Sequence, residues 1–165
     1  MTAFRALAIL LALFAAAPAR AESPDALIVR IYQHASAGEG DSGGDFLIEE
    51  KDRAPYLSQS LRALWDAADA KTRPGDIGPI EFDPVSNSQD PQVRAFAVTI
   101  EKQDAKRATV AATFGARKAP LDRQPTMSVR YELVNEAGAW KIDDIQGGAP
   151  GGAWSVRKLL ADFKG

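Results

Sequence analysis

Six residues of the 165-residue chain are candidates for binding a ligand: Tyr32, His34, Asp83, Gln89, Asp90 and Asp144. His34 is the only histidine, and a histidine beside a carboxylate is a common general base near neutral pH. Asp83, Gln89 and Asp90 fall in one polar loop and offer the oxygen ligands that hard cations and polar substrates use. The six residues therefore form one candidate ligand-binding pocket, with no residue assigned a catalytic role.

Each candidate also has a purely structural interpretation. Asp83 and Asp90 both precede a proline, so each can hydrogen-bond its own loop in an Asx-turn. His34 borders the apolar face of a predicted helix and Tyr32 lies on that face, so both fit a core or its rim. The sequence has no second histidine, no cysteine, no EF-hand spacing and no G-x-S-x-G motif. We therefore expect neither a metal site nor a cofactor.

Asp144 conflicts with the alternation of the strand that contains it. Trp140 and Ile142 set the inner face, so strict alternation places Asp144 inside and Ile145 outside. An ionised carboxylate in a dry core costs several kcal/mol unless it is paired. A β-bulge at Asp143 and Asp144 resolves the conflict by resetting the phase. A strand end that opens into a wet cavity lined by Asp144 resolves it equally well, and the sequence leaves both possibilities open.

The scaffold that must position these residues is predicted from hydrophobic periodicity. Apolar residues at helical spacing predict helices beginning near Pro24, Ser58 and Ser155, and residues 46–50 suggest a short helical turn. From residue 79 the period changes to two, which predicts five antiparallel strands, the first over residues 80–83. This order of helices and hairpins predicts an α+β fold with helices on one face of the sheet.

Two glycine-rich segments interrupt the pattern. Residues 38–45 combine glycine with acidic side chains and lack the lysine of a P-loop, so we expect a mobile loop that does not bind phosphate. Residues 147–152 are expected to be a hinge before the last helix. Neither segment is long enough to divide the chain into two domains.

The first 21 residues are typical of a cleavable secretory signal peptide. Arg5 precedes an apolar run over residues 6–17, and Ala19-Arg20-Ala21 is a small-x-small cleavage site. The run is too short to span a bilayer. We expect cleavage after Ala21, a single domain over residues 22–165 and a periplasmic or secreted location in a bacterium, with no stable membrane anchoring.

Charge and cysteine content restrict the partners. The chain has a formal net charge of −2 and no cysteine, and cleavage removes Arg5 and Arg20, which makes the domain more acidic. A mildly acidic domain lacks the basic surface that binds nucleic acid. The absence of cysteine excludes disulfides and lipid attachment through a cysteine, which fits a periplasmic domain with a sizeable core.

Three stretches resemble the DUF3828 family of exported bacterial proteins. They are Tyr56-Leu57-Ser58 leading into Leu61-Arg62-Ala63-Leu64, Phe82-Asp83-Pro84 followed by Gln89-Asp90, and Tyr131-x-Leu133 followed by Gly138-x-Trp140-Lys141-Ile142-Asp143-Asp144-Ile145. The order of elements resembles the NTF2-like superfamily. This resemblance implies a cone in which N-terminal helices pack on a curved, mostly antiparallel sheet, with a C-terminal helix. The superfamily includes enzymes, ligand carriers and adaptors, so the fold alone does not decide the function.

We expect an exported, non-catalytic binding or interaction domain whose partner is an unknown small molecule or protein. Its pocket would lie between the helices and the concave face of the sheet. One alternative is a small-molecule hydrolase or isomerase that uses His34 with Asp83, Asp90 or Asp144. A further alternative is an immunity or inhibitor protein that acts on an exported toxin or enzyme. The state of the concave face, filled or holding a polar cavity, distinguishes a pocket protein from one that binds at its surface.

Overall fold

The structure, a computed structural model, describes residues 22–37, 47, 50–89, 93–115, 127–149 and 152–165. The signal peptide predicted at residues 1–21, the glycine loop at residues 38–45 and Asp90 lie outside these ranges. No helix in the described ranges is long and apolar enough to cross a membrane.

The chain folds as an α+β domain, as predicted. The described residues form four helices, α1 (Pro24–Ala37), α2 (Glu50–Arg53), α3 (Gln59–Asp69) and α4 (Val156–Asp162). Ser58 caps α3, its Oγ accepting a hydrogen bond from the Leu61 N–H at 2.9 Å, and Ser155 caps α4 in the same way. Both predicted caps are confirmed, because a serine oxygen satisfies an N–H group that has no partner within the helix.

In the ranges that the structure describes, five antiparallel strands form one sheet in chain order: β1 (Phe96–Gln103), β2 (Arg107–Phe114), β3 (Met127–Glu136), β4 (Ala139–Ala149) and β5 (Gly152–Ser155). The strand predicted at residues 80–83 is wrong. Those residues enter a closed loop, in which the Asp83 N–H donates to the Ser88 carbonyl at 2.9 Å. The predicted hinge is also wrong, since Gly147 and Gly148 pair with β5 as part of β4.

The core lies between α1 and one face of the sheet, called the inner face here. Inward residues of α1, including Ile28, Ile31 and Tyr32, are fully buried. They meet the alternate residues of the central strands, which are equally inaccessible: Val110, Ala112, Val129, Tyr131, Leu133, Ile142 and Ile145. The described residues thus fill the part of the inner face formed by β2, β3 and β4, where a concave pocket was expected, and burial of this apolar surface is the main stabilising term.

A β-bulge at Asp143 reconciles β4 with this core. Glu132 pairs with Asp144 and Leu133 pairs with Ile142, so Asp143 is an extra residue without a cross-strand partner. The insertion advances the alternation by one position, which buries Ile145 completely and moves Asp144 to the opposite face. Of the two solutions left open by the sequence, the structure adopts the bulge.

Backbone hydrogen bonds attach the start of α3 to the sheet, and Arg53 joins α2 to α3. The Ser58 N–H donates to the Ile142 carbonyl at 2.7 Å, and the Ile142 N–H donates to the Tyr56 carbonyl at 2.8 Å, so the chain entering α3 extends the sheet beside β4. Arg53, only 2% exposed, joins α2 to α3 through a 2.5 Å hydrogen bond to Asp69. Its guanidinium also lies 4.8 Å from the centre of the Trp65 ring, a cation–π distance.

Gly147 and Gly148 of β4 differ in the space available for a side chain, so substitution by alanine should change the stability of the fold differently at the two positions. A Cβ at Gly147 would lie 2.4 Å from Cζ2 of Trp154, whereas a Cβ at Gly148 meets nothing within 4 Å. We expect Gly147→Ala to lower the free energy of unfolding by about 1–3 kcal/mol, because the tryptophan must move. Gly148→Ala should change it by less than about 0.5 kcal/mol. Urea denaturation measures both, and equal effects would contradict the close packing of Trp154 on Gly147.

Candidate functional site

Asp144 is a structural carboxylate at the start of α4. It is 8% exposed. Its Oδ1 accepts hydrogen bonds from the backbone N–H groups of Ile145 (2.9 Å) and Arg157 (3.0 Å). Its Oδ2 accepts from Ser155 Oγ at 2.7 Å and from Gln146 Nε2 at 3.0 Å. Four donors therefore satisfy the carboxylate and hold the first turn of α4 against the sheet.

Asp143 performs the matching task for α3. Its Oδ1 accepts from Ser58 Oγ at 2.7 Å and from a terminal nitrogen of Arg157 at 2.6 Å. The Arg157 Nε donates to the Asp143 carbonyl at 3.0 Å, and another terminal nitrogen reaches Ser60 Oγ at 3.2 Å. The two consecutive aspartates thus lie at the N-termini of two different helices, where a negative charge is favourable.

Asp83 stabilises its own loop. It is 2% exposed, and its two oxygens accept from the backbone N–H groups of Val85 (3.0 Å) and Ser86 (2.8 Å). This is the Asx-type arrangement that the sequence allowed as the structural interpretation. It orients the loop so that Val85 enters the core.

Tyr32 fixes that loop from the side of α1. Its hydroxyl donates to the Val85 carbonyl at 2.8 Å, and the Tyr131 hydroxyl donates to Tyr32 at 3.3 Å. Burial, reinforced by the Tyr131 phenol and the Asp83 carboxylate, raises the pKa of Tyr32 well above its usual value. Burial likewise raises the pKa of Tyr131. Both phenols are therefore neutral hydrogen-bonding groups of the core rather than proton acceptors.

His34 lies on the exposed side of α1, in a depression of about 330 Å³. Lys51, Asp52, Pro55 and Tyr56 line it with His34. The described lining includes neither Asp83 nor Asp144. Gln89 is exposed at the end of the Asp83 loop.

The structure therefore separates the predicted pocket residues. Tyr32 and Asp83 meet in the core around Val85, His34 faces a surface depression, and Asp144 lies under α4. Across the described ranges, no group of three or more His, Cys, Asp or Glu side chains is arranged to hold a metal ion.

A second depression, which sequence reasoning missed, lies on the outer face of the sheet, the face turned away from α1. We call it the outer groove. It has a volume of about 350 Å³, and its lining includes Ser128, Arg130, Gln146, Gly148 and Ala153. Small residues on adjacent strands, Ser128 in β3, Gly148 in β4 and Ala153 in β5, leave space above the sheet. The glycines of β4, which were interpreted from the sequence as a hinge, are the sequence feature that could have predicted this groove.

The polar rim of the outer groove is held in place by an ion pair. Arg130 donates to both oxygens of Glu101, from Nε at 2.7 Å and from a terminal nitrogen at 3.0 Å. These hydrogen bonds lower the pKa of the Glu101 carboxyl and raise the pKa of the guanidinium. A bidentate pair fixes the guanidinium plane more firmly than a single contact.

Trp154 and Asn87 fasten the Asp83 loop to the sheet beside this groove. The Trp154 Nε1–H donates to Asn87 Oδ1 at 2.7 Å, and Asn87 Nδ2 donates to the Gly148 carbonyl at 2.8 Å. Phe82 meets the Trp154 ring edge-on, with ring centroids 4.9 Å apart. Asn87 adopts a φ of 52°, a left-handed conformation that asparagine tolerates better than most residues.

No family model, curated protein or solved structure matches this chain.

The buried tyrosine pair predicts how stability depends on alkaline pH. Because the pKa values of Tyr32 and Tyr131 are raised in the folded state, these phenols ionise first in the unfolded chain. Their contribution is complete below pH ~10 and is lost as the pH rises above it, by about 1.4 kcal/mol per pH unit for each phenol. Urea denaturation between pH ~9 and ~11 should show a shallower decline in Tyr131→Phe than in the parent protein. An identical decline would contradict the assignment of a neutral, buried Tyr131.

Proposed function

We propose that the chain is an exported, non-catalytic binding domain, an NTF2-like cone of the DUF3828 type, which binds its ligand at the outer groove. One observation carries this proposal. Core side chains fill the inner face of β2, β3 and β4, whereas the outer face holds a groove with a fixed guanidinium, an amide and a hydroxyl at Arg130, Gln146 and Ser128. A few polar groups around a preformed concavity are typical of ligand sites.

The occupied aspartates support a non-catalytic role. A general base must reach the proton of its substrate with a lone pair. Asp144 accepts four hydrogen bonds and Asp83 accepts two from its own loop. The alternative of a hydrolase or isomerase that combines His34 with either aspartate therefore receives less support than the binding domain.

The proposal of an immunity or inhibitor protein also receives less support. Such a role is favoured by a contiguous exposed apolar patch of several hundred Å². Among the large hydrophobic side chains that the structure describes, Ile77 alone is strongly exposed, at 70%. Ile77 alone is not a patch, and Phe96, Val98 and Ile100 of β1 keep only intermediate exposure.

Export and the NTF2-like architecture belong to the same proposal. The composition of residues 1–21 supports delivery to the periplasm or the medium as a domain free of its leader. A helix that packs across an antiparallel sheet, with a further helix at the C-terminus, is compatible with the proposed cone. The partner is then a small molecule or a protein, and the acidic net charge argues against nucleic acid.

The outer groove can be blocked without disturbing the core, because a Cβ at Gly148 meets nothing within 4 Å. We expect ligands from a panel of amino acids, short peptides, sugars and nucleotides to shift the backbone amide signals of Ser128, Arg130 and Gln146 in ¹H–¹⁵N NMR spectra. Gly148→Phe should weaken that binding by at least about tenfold. The control, Ala63→Phe on the exposed side of α3, should leave it unchanged.

Two results would contradict the proposal. Shifts confined to the residues around His34 would place the site in the other depression. If neither the panel nor any captured protein bound to the mature domain, the domain would not be a binding module.

A further inference from the structure

Within the part of the chain that the structure describes, the first strand of the sheet has an open edge. β1 is the edge strand of the sheet, and among the residues that the structure describes only β2 forms a ladder with it. At eight residues it is longer than the usual edge strand. The outward backbone N–H and C=O groups of such a strand can pair with an added strand.

The apolar side chains of β1 are only partly covered. Phe96, Val98 and Ile100 pack against the core yet keep intermediate exposure. Their partners in β2, which are Phe114, Ala112 and Val110, are buried to 3% or less. The difference leaves a row of apolar surface along the edge, which a neighbouring strand would cover.

Charged residues and β-bulges normally prevent an edge strand from pairing with another chain, and in β1 they occur only in the second half. The register shifts between Ile100 and Lys102, leaving Glu101 as a bulge next to a lysine. Residues 96–100 contain no charge, no proline and no bulge, and all five except Ala97 favour β-structure. The open part of the edge is therefore the segment from Phe96 to Ile100.

We propose that two copies of this chain pair through residues 96–100 as antiparallel strands, with the two-fold axis at Val98. The segment is chemically self-complementary in this register. Phe96 of one copy faces Ile100 of the other, Val98 faces Val98, and Ala97 faces Thr99. Apolar side chains meet on the inner face and small ones on the outer face, so that neither face brings a clash or a like charge within the paired segment.

The same register limits the pairing. Beyond Ile100 the bulge interrupts the ladder, and Lys102 of one copy would approach Arg94 of the other. Five residues from each copy bury less than the roughly 1,200 Å² of a standard stable interface. The dimer is therefore weak and reversible, and its population rises with protein concentration.

Sedimentation equilibrium of the mature domain over about a hundredfold range of concentration tests for this dimer. The weight-average mass should rise toward twice that of the monomer. In the double variant Ala97→Lys with Thr99→Lys, the two introduced lysines face each other across the axis, and dimerisation should weaken by at least about tenfold. Both positions are exposed, so the variant should fold. The matched control, Ala63→Lys with Ala67→Lys on the exposed side of α3, should dimerise like the parent.

Cross-linking tests the register, because the chain contains no cysteine of its own. Val98→Cys should form a disulfide-linked dimer under mild oxidation, since its two copies face each other at the axis. Ala97→Cys should link efficiently to Thr99→Cys in a mixture, and poorly to itself. A monomer at all concentrations would overturn the proposal. A dimer insensitive to the edge lysines, or equal linking of Ala97→Cys with itself, would overturn it too.

Discussion

One inserted residue in β4 determines how the remainder of the domain is arranged. Asp143 has no cross-strand partner in the ladder between β3 and β4, and this bulge turns Ile145 into the core and Asp144 to the opposite face. The displaced carboxylates are then used by two helices that are distant in sequence. Asp143 accepts from Ser58 at the start of α3, and Asp144 accepts from the first turn of α4. A single bulge thereby reconciles the alternation of a strand with the attachment of both helices, and it removes an otherwise buried unpaired charge.

This arrangement also restricts where a ligand can bind. The same alternation directs the large side chains of β2, β3 and β4 toward α1, where Tyr32 and Tyr131 complete a filled core. The small residues alternate with them on the outer face and produce the outer groove. The carboxylates of Asp83 and Asp144 accept hydrogen bonds from the framework, whereas the guanidinium of Arg130 and the hydroxyl of Ser128 lie at the surface beside the outer groove. Binding is therefore proposed at the outer surface of the sheet rather than between the sheet and α1.

The sequence predicted those parts of the fold that depend on local pattern. Periodicity and capping serines were sufficient to find α1, α3, α4 and four of the five strands. The strand predicted at residues 80–83 failed because Asp83 bonds its own loop and Tyr32 holds Val85 from another element. The hinge prediction failed because Gly147 packs against the Trp154 ring, where a side chain would clash. Composition does not reveal this tertiary contact. Alternation along β4 identified the conflict at Asp144 but not its solution. Ser155 and Arg157, which donate hydrogen bonds to the Asp144 carboxylate, lie at the start of a later helix. The same limit explains why the sequence grouped Tyr32, His34, Asp83 and Asp144 in one predicted pocket. The partners that hold these residues in separate places belong to elements far along the chain.

The most direct test of this account is deletion of Asp143, compared with Asp143→Ala. Both changes remove the carboxylate that bonds Ser58 and Arg157, but only the deletion removes the bulge and returns β4 to strict alternation. The account predicts that Asp143→Ala unfolds cooperatively with a loss of about 1–3 kcal/mol, as expected for broken hydrogen bonds to a charged group. The deletion should still fold, with a loss of similar size, because a regular strand that runs from Ile142 directly to Asp144 keeps Ile145 in the core and Asp144 on the opposite face. Loss of cooperative unfolding in the deletion variant alone, measured by urea denaturation, would contradict the claim that Asp143 is the extra residue in the ladder.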